Sequence, residues 1–499
     1  MSDVLTKAQY AAIAEKLSYP SGAFINGAFQ PAASGKTFDT VNPATGKVLT
    51  KVAACNADDV DYVTTAAQTA FDSGAWRSLA PAERKAIMLK FADLLHENRH
   101  ELAVMESLDS GKPVRECQTI DVAETINTIR WHAELIDKIY DSTAPVGPDA
   151  VALIVREPIG VVGCVLPWNF PLLMLAWKAG PALAAGCSVV LKPAEQTSLT
   201  SLRAAELAFQ AGIPAGVFNV ITGTGRDVGE PIGLHNGISM VSFTGSTTTG
   251  RRFLRYAADS NLKRIVLECG GKNPAVVLAD AEDLKSVAEH VINGAFWNMG
   301  ENCSATSRLI VHHSIKDELL RHMLACVGEW KMGDPLDPEN ALGALVSTEH
   351  FAKVKSYIDL VMDTADKSNV VCGGHAIDGR YVEATIVDNV DPGSRIFQEE
   401  IFGPILAIST FNTVDEAIEL ANDTVYGLAA SVYTGSIRHA MKLSAAIRAG
   451  VVTVNCYGEG DVTTPFGGYK ESGFGGRDKS IYAHDQYTEI KTIWLNTSN

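Results

Sequence analysis

The chain has 499 residues, of which 46% are apolar and 20% charged, with a formal net charge of −16. That length exceeds what one hydrophobic core can organise and predicts two or three domains. The acidic balance argues against a nucleic-acid partner, because phosphate binding needs clustered Lys and Arg.

After a β-like start, apolar periodicity predicts helices over 58–73, 81–109 and 117–140, the second with Pro81 in its first turn. Strand and helix patterns then alternate. Strands are expected at 161–166, 188–192, 217–222, 240–243 and 264–268, with helices at 172–185, 199–211, 227–234 and 247–258 between them. Short, continuously apolar strands joined by helices predict a buried parallel sheet. The apolar stretch 159–191 is broken by Pro167, Pro171, Lys178 and Pro181, so it reads as buried strand and helix and not as a membrane span.

A second α/β series follows Gly270-Gly271. Its strands are predicted at 275–278, 308–311, 405–411, 428–433 and 451–455, and its helices at 283–298, 315–328, 350–365, 414–421 and 438–446. Two polar, β-prone segments, 142–157 and 485–495, lie outside both series and are expected to pair as a small sheet used in oligomer contacts.

Nine scattered cysteines with no CxxC pair indicate a reducing compartment, without a disulfide framework or zinc cluster. The first residues carry no basic region followed by an apolar run, so no signal peptide is expected and the cytoplasm is the expected location. His235, His290, His312, His313 and His322 lack ligand spacing, and no metal site is expected.

The chemistry concentrates in a few segments. Asn298-Met299-Gly300-Glu301-Asn302-Cys303-Ser304 sets a thiol in a turn after an amphipathic run, where it can be accessible enough to react. Val266-Leu267-Glu268-Cys269-Gly270-Gly271 ends an apolar run in a carboxylate, and Pro167-Trp168-Asn169-Phe170-Pro171 offers an amide donor. A nucleophile, a base and an oxyanion donor are the parts of covalent acyl chemistry. Two glycine-rich turns compete for a phosphate. Gly223-Thr224-Gly225 through Gly229 nearly matches the dinucleotide fingerprint, while Thr244-Gly245-Ser246 opens a helix after a strand. Lys192-Pro193-Ala194-Glu195 ends another strand and offers a cation and an anion to a ribose.

In this order, with Glu400-Ile401-Phe402-Gly403-Pro404 and Pro465-Phe466-Gly467-Gly468, the motifs resemble the NAD(P)-dependent aldehyde dehydrogenase superfamily. The likeness runs from about Phe24 to Thr492. It implies an α/β fold with a Rossmann-like NAD-binding domain at 1–140 and 159–270 and an α/β catalytic domain at 271–471. A β oligomerisation segment would occupy 141–158 and 485–499. It implies Cys303 as the nucleophile, Asn169 as the oxyanion donor, Glu268 as the base for thioester hydrolysis and Lys178 as support for the proton path. It implies cofactor contacts from Trp168, Lys192, Glu195, Gly225, Gly245, Ser246, Glu400 and Phe402. NAD is expected, with NADP weaker because Glu195 would repel a 2′-phosphate.

By the same resemblance Phe170, Met174, Trp177 and Phe466 line an apolar passage to the thiol, bordered by the helix of Asp121 and Glu124. Glu459 and Asp461 stand where many relatives carry a bulky aromatic, which implies an acidic mouth suited to a cationic or polar tail. The chain is especially similar to bacterial dehydrogenases of γ-glutamylaminobutyraldehyde and other ω-amino or guanidino aldehydes in polyamine catabolism. Betaine-type or broad-specificity oxidation is the nearer alternative. A CoA-acylating enzyme, a cofactor-independent thiol hydrolase and a non-catalytic structural relative are further ones. A homodimer or homotetramer is expected. Two departures from the family stand out. The Glu268-to-Cys303 interval is one residue longer than in many relatives, an insertion expected near 281–284. Ile481 occupies the place of a glutamate thought to assist a water relay, which puts that contribution in doubt.

Overall fold

The computed structural model describes residues 4–363, 369–458 and 460–498. Strands Phe218–Val220, Ser188–Lys192, Val161–Val165, Met240–Thr244 and Arg264–Glu268 lie side by side in that order, all parallel. Counted along the chain this is the order 3-2-1-4-5 of dinucleotide-binding sheets. Antiparallel strands Ala23–Ile25 and Gly473–Phe474 flank the two sides. Every residue of Val161–Val165 and Ser188–Lys192 is buried. Helix Pro171–Ala185, buried along its whole length, packs into the same core and is capped by Gly186 in the left-handed region.

The connections leave the sheet in opposite directions after Val161–Val165 and Met240–Thr244, although those strands are neighbours. A crevice opens outside the carboxyl ends of two such strands. Residues 166–169 and 244–246 therefore share one edge.

The second sheet has seven strands, ordered Val370–Cys372, Thr385–Val387, Ile405–Phe411, Thr306–His312, Asn273–Val277, Ala429–Tyr433 and Val451–Val454. All pairs except the first are parallel. Segments 271–272, 303–305 and 400–404 enter the amino ends of three of these strands and face the edge of the first sheet. A third, antiparallel sheet pairs Ala150–Pro158 with Thr488–Asn496 over nine residue pairs on one side and with Ser142–Ala144 on the other. The two polar segments do pair. Ile490 and Trp494 remain exposed on the outer strand.

Local chemistry accounts for the departures from the predicted elements. The helix expected over 81–109 is two, Pro81–Glu97 and Arg99–Ser110, broken at Asn98, which turns its side-chain amide back to the Leu94 carbonyl. The segment 117–140 begins as a π-helical stretch, Cys117–Val122, before the α-helix Ala123–Leu135. The end of the helix predicted over 350–365 lies outside the described residues. The turn at 281–284 closes with Asp283 in the left-handed region, capping the amide of Ser286. Among the described residues no helix is long and apolar enough to cross a membrane.

Candidate active site

Helix Leu284–Phe296 ends in a single tight turn, Trp297–Gly300, that aims Cys303 back toward the first sheet. Asn298 and Met299 sit at φ 54° and 55°, a conformation costly for non-glycine residues, so the surroundings must hold it. The Asn298 amide donates to the carbonyls of Glu301 (2.9 Å) and Asn169 (3.2 Å). The Asn273 amide donates to the Cys303 carbonyl at 2.8 Å, and the Asn302 amide to the Tyr457 hydroxyl at 3.0 Å. Three asparagines thus pin the nucleophile's loop.

The glycines of the Glu268 motif are explained by close approach. A Cβ on Gly271 would lie 2.6 Å from the Cys303 carbonyl oxygen, and one on Gly270 would lie 2.2 Å from both carboxylate oxygens of Glu400. Glu400 in turn accepts the Gly271 N–H at 3.0 Å. Gly270-Gly271 lets the cysteine loop and Glu400 meet the end of the Glu268 strand.

Asn169 follows the first strand at the crevice. One hydrogen of its side-chain amide goes to the Glu301 carbonyl at 2.9 Å. A primary amide has two, so the second remains for an oxyanion in the cleft that Asn169 lines. Lys112 fixes the same residue from behind, donating to the Asn169 carbonyl at 3.0 Å while its ammonium lies 3.9 Å from the Phe170 ring centroid.

Two cavities meet at Cys303. The larger, about 570 Å³, runs from Trp168 and Asn169 past Gly245, Ser246 and Gly270 to Glu400 and Phe402. Ser246 caps helix Thr247–Ala258 at its wall, so backbone N–H groups face the cleft. Trp168 packs on His350 and Phe402, with centroids 4.9 and 5.2 Å away. The smaller cavity, about 10 Å³, is the size of a single water. It is walled by Phe170, Met174, Trp177 and Phe466 and also holds Glu268 and Cys303.

Glu268 is buried, and neither carboxylate oxygen makes a well-aligned hydrogen bond. Burial above all, and then the charge of Asp478, push its carboxyl well above the usual range, opposed by Lys178 and Arg477. Lys178 Nζ lies 3.1 Å from Asp478 Oδ2 and 3.2 Å from Ser242 Oγ. Ile481, where the resemblance put a relay contribution in doubt, is 42% exposed, and the carboxylate beside Lys178 is Asp478.

The remaining expected contacts spread out. Buried Lys192 pairs with Glu195 at 3.5 Å and donates to the Pro193 carbonyl. Glu195 lines an adjoining cleft of about 340 Å³ that meets the first at Gln196 and Ser347. Gly225, of the competing glycine turn, opens a π-helical stretch, Gly225–Gly229, and does not line the large cleft.

The four residues of the expected acidic mouth do not come together as one group. Asp121 is fully buried and ion-paired to Lys112, because an apolar helix bundle covers it, so it cannot meet a substrate tail. Glu124 is exposed and accepts from the Asn127 amide, outside both cavities. Asp461 is exposed on a turn where it caps the Thr463 N–H at 2.9 Å. Glu459 lies outside the described residues. Sequence reasoning missed Asp478, Lys112 and His350. His350 donates from Nε2 to the Phe402 carbonyl at 2.7 Å, and burial lowers its pKa to about 4, so it is neutral. None of the three sits in a motif, and only tertiary contact reveals them.

The model of the aldehyde dehydrogenase family matches residues 29–493. The chain is 67% identical to an aminoacetaldehyde dehydrogenase of Pseudomonas aeruginosa over 498 residues, 100% of both chains. An indole-3-acetaldehyde dehydrogenase solved with NAD+ superposes with a TM-score of 0.96 at 48% identity, over 99% of this chain and 100% of that one. A γ-glutamyl-γ-aminobutyraldehyde dehydrogenase from Burkholderia cenocepacia does so with a TM-score of 0.96 at 47% identity, over the same shares.

Proposed function

The chain belongs to the aldehyde dehydrogenase family, and from that premise we propose that it oxidises an ω-aminoaldehyde to the carboxylate with NAD. The observation that carries the reading is the meeting of two cavities at Cys303, one holding Glu268 and the other lined by Ser246 and Glu400. The large cleft fits a dinucleotide. Its volume, the capped helix N-terminus at Ser246 and the Glu400 carboxylate suit a nicotinamide, a pyrophosphate and a ribose. Trp168 and Phe402 would flank it, and Lys192 and Glu195 would serve the adenosine ribose. When bound, the cofactor supplies the hydride acceptor.

In the proposed sequence the Cys303 thiolate attacks the aldehyde carbon, forming the C–S bond while the carbonyl oxygen takes the negative charge. The free Asn169 amide hydrogen stabilises that oxygen. Loss of hydride from the same carbon leaves a thioester. Glu268, which faces the cavity, takes a proton from water once its carboxyl is deprotonated, as the water oxygen attacks the acyl carbon and the thiolate leaves. His350 lines the cleft but donates its Nε2 hydrogen to Phe402, which disfavours the hydrolase alternative.

The aminoaldehyde is supported by the names of two relatives, aminoacetaldehyde dehydrogenase and γ-glutamyl-γ-aminobutyraldehyde dehydrogenase. At the mouth its support within the described residues rests on Asp461. The assay is NADH absorbance with NAD and a panel of aminoacetaldehyde, 4-aminobutanal, γ-glutamylaminobutanal, betaine aldehyde and propanal. An amino-bearing aldehyde should give the highest kcat/KM, and Cys303→Ala should form no NADH while still binding NAD. A preference for propanal would leave a broad-specificity enzyme. The same reading assigns 1–140 and 159–270 to cofactor binding, 271–471 to catalysis, and 141–158 with 485–499 to assembly. It takes a cytoplasmic homo-oligomer built on the exposed strand Thr488–Asn496. Sedimentation of the wild type and of Trp494→Asp tests the assembly.

A further inference from the structure

Asn169, the oxyanion donor, stands in the turn between Val161–Val165 and Pro171–Ala185. Pro167 and Pro171, on either side of it, bring no backbone N–H, so the turn depends on side chains from elsewhere to hold it. Lys112, 1% exposed, reaches it from just beyond helix Arg99–Ser110. One of its three ammonium hydrogens goes to Asp121 and one to the Asn169 carbonyl at 3.0 Å, which leaves the third for the Phe170 ring, its centroid 3.9 Å away. The lysine is itself fixed. Gly111 before it stands in the left-handed region, where a Cβ would lie 2.4 Å from the Ala344 carbonyl oxygen, and the Lys112 carbonyl accepts the Ser107 hydroxyl at 2.6 Å. Asp121 is carried by the π-helical stretch Cys117–Val122, a rare winding that is frequent at functional sites.

We propose that Lys112, with Asp121 behind it, is a positioning residue for the oxyanion hole. It lines neither cavity at Cys303 and acts through its neighbours. Asn169 lines the large cavity and Phe170 lines both. By gripping the Asn169 carbonyl and the Phe170 ring together, the ammonium fixes the peptide between them and so the direction of the free Asn169 amide hydrogen. An oxyanion donor contributes only if it already aims at the place where charge develops. Asp121, the acid expected at a substrate mouth, has a different role here: it balances an ammonium that would otherwise be a lone buried charge. The inference rests on the aldehyde reading above, because it takes the oxygen of a bound aldehyde as the group that Asn169 receives.

The test uses the full-length enzyme in excess over propanal with saturating NAD, so that NADH reports a single passage through attack and hydride loss. In Lys112→Met its rate constant should fall about ten- to fiftyfold, short of the loss of about a hundredfold or more that removal of an oxyanion donor gives. Alkylation of Cys303 by iodoacetamide should keep its wild-type rate, because that displacement passes through no oxyanion. On an Asn169→Ala background Lys112→Met should add little further loss, since the two residues act as a unit. Lys112→Met with Asp121→Asn leaves neither member of the pair charged and should be as slow as Lys112→Met alone; it reads the same rates if the single variant does not fold. Alkylation slowed in step with NADH formation, a full independent loss on the Asn169→Ala background, or wild-type speed in the paired variant would overturn the proposal and leave an ion pair that serves only the fold. No NADH from the wild type with propanal or aminoacetaldehyde would instead overturn the dehydrogenase reading, and this inference with it.

Discussion

Lys178 and Asp478 stand three hundred residues apart in the chain and meet as a fully buried ion pair, Nζ to Oδ2 at 3.1 Å. The pair lies behind Glu268, whose protonation both charges influence. Removing either partner would leave an uncompensated charge in the interior, which typically costs about 3–5 kcal/mol. The pair is therefore an electrostatic setting for the base as well as a structural link between the helix Pro171–Ala185 and the turn before Ser480–Gln486.

Glu268→Gln should separate the two halves of the reaction. The amide cannot accept a proton from water, so thioester hydrolysis slows while hydride loss continues. Stopped-flow should show a burst of NADH near one per site, followed by a steady state at least about a hundredfold slower, the lower range of general-base effects. A burst lost in step with turnover would place Glu268 before the thioester.

Asp478→Asn should move the pH dependence of that base. Glu268 has a raised pKa in the fold, so at low pH it is protonated and idle, and deacylation rises as pH climbs through that value. Asp478 contributes to the rise and Lys178 opposes it. Loss of the aspartate charge removes the first and unmasks the second, so the limb of kcat should shift to lower pH. The measurement is kcat against pH with an aldehyde whose steady state is limited by hydrolysis. A limb that stays put would mean that the pair does not act on Glu268.

Several of these relationships were legible in the sequence and others were not. The βα alternation, with the residues it delivers to strand ends, gave Glu268, Asn169 and Ser246, because a strand end and a glycine-rich turn are local signals. Which of the Gly225 and Gly245 turns sits beside the crevice is visible only in strand order. Met240–Thr244 neighbours the first strand, whereas Phe218–Val220 lies two strands away. Asp121 was misplaced for a related reason. Asp121 has the residue type of a surface acid, and only tertiary packing buries it against Lys112. Asp478 was hidden because the partner that gives it meaning, Lys178, lies three hundred residues away in the chain.

Glu195→Gln should narrow the discrimination between NAD and NADP. The carboxylate is 41% exposed and held 3.5 Å from the Lys192 ammonium, at the carboxyl end of Ser188–Lys192. A 2′-phosphate placed beside Lys192 would meet that carboxylate as a like charge. The ratio of kcat/KM for NAD over NADP should exceed one in the wild type. It should fall severalfold in the variant, mainly through the KM for NADP. Equal use of both cofactors by the wild type would show that Glu195 turns away from the ribose.

His132 should set part of the acid limit of stability. It is fully buried, and neither ring nitrogen has a hydrogen-bond partner. Burial, and then the nearby His484, lower its pKa to about 3, and His484 itself lies at about 4. Both rings are neutral in the fold, whereas unfolded histidine protonates near pH 6.5. Between those values the unfolded chain binds the extra proton, so each group leaves stability intact above about pH 6.5 and erodes it as pH falls toward the folded value. Buried carboxyls with raised values, such as Asp109 at about 8, change stability in the opposite sense over part of this range, so the wild-type curve alone does not isolate the histidines. The informative quantity is the difference in Tm between His132→Leu and the wild type across pH. Near neutrality the variant should be level with or below the wild type, since the ring packs against Gly180. Its relative Tm should climb as pH drops from about 6.5 to 4, by several degrees. A difference that stays flat over that interval would mean that His132 finds a partner or water in solution and does not titrate with unfolding.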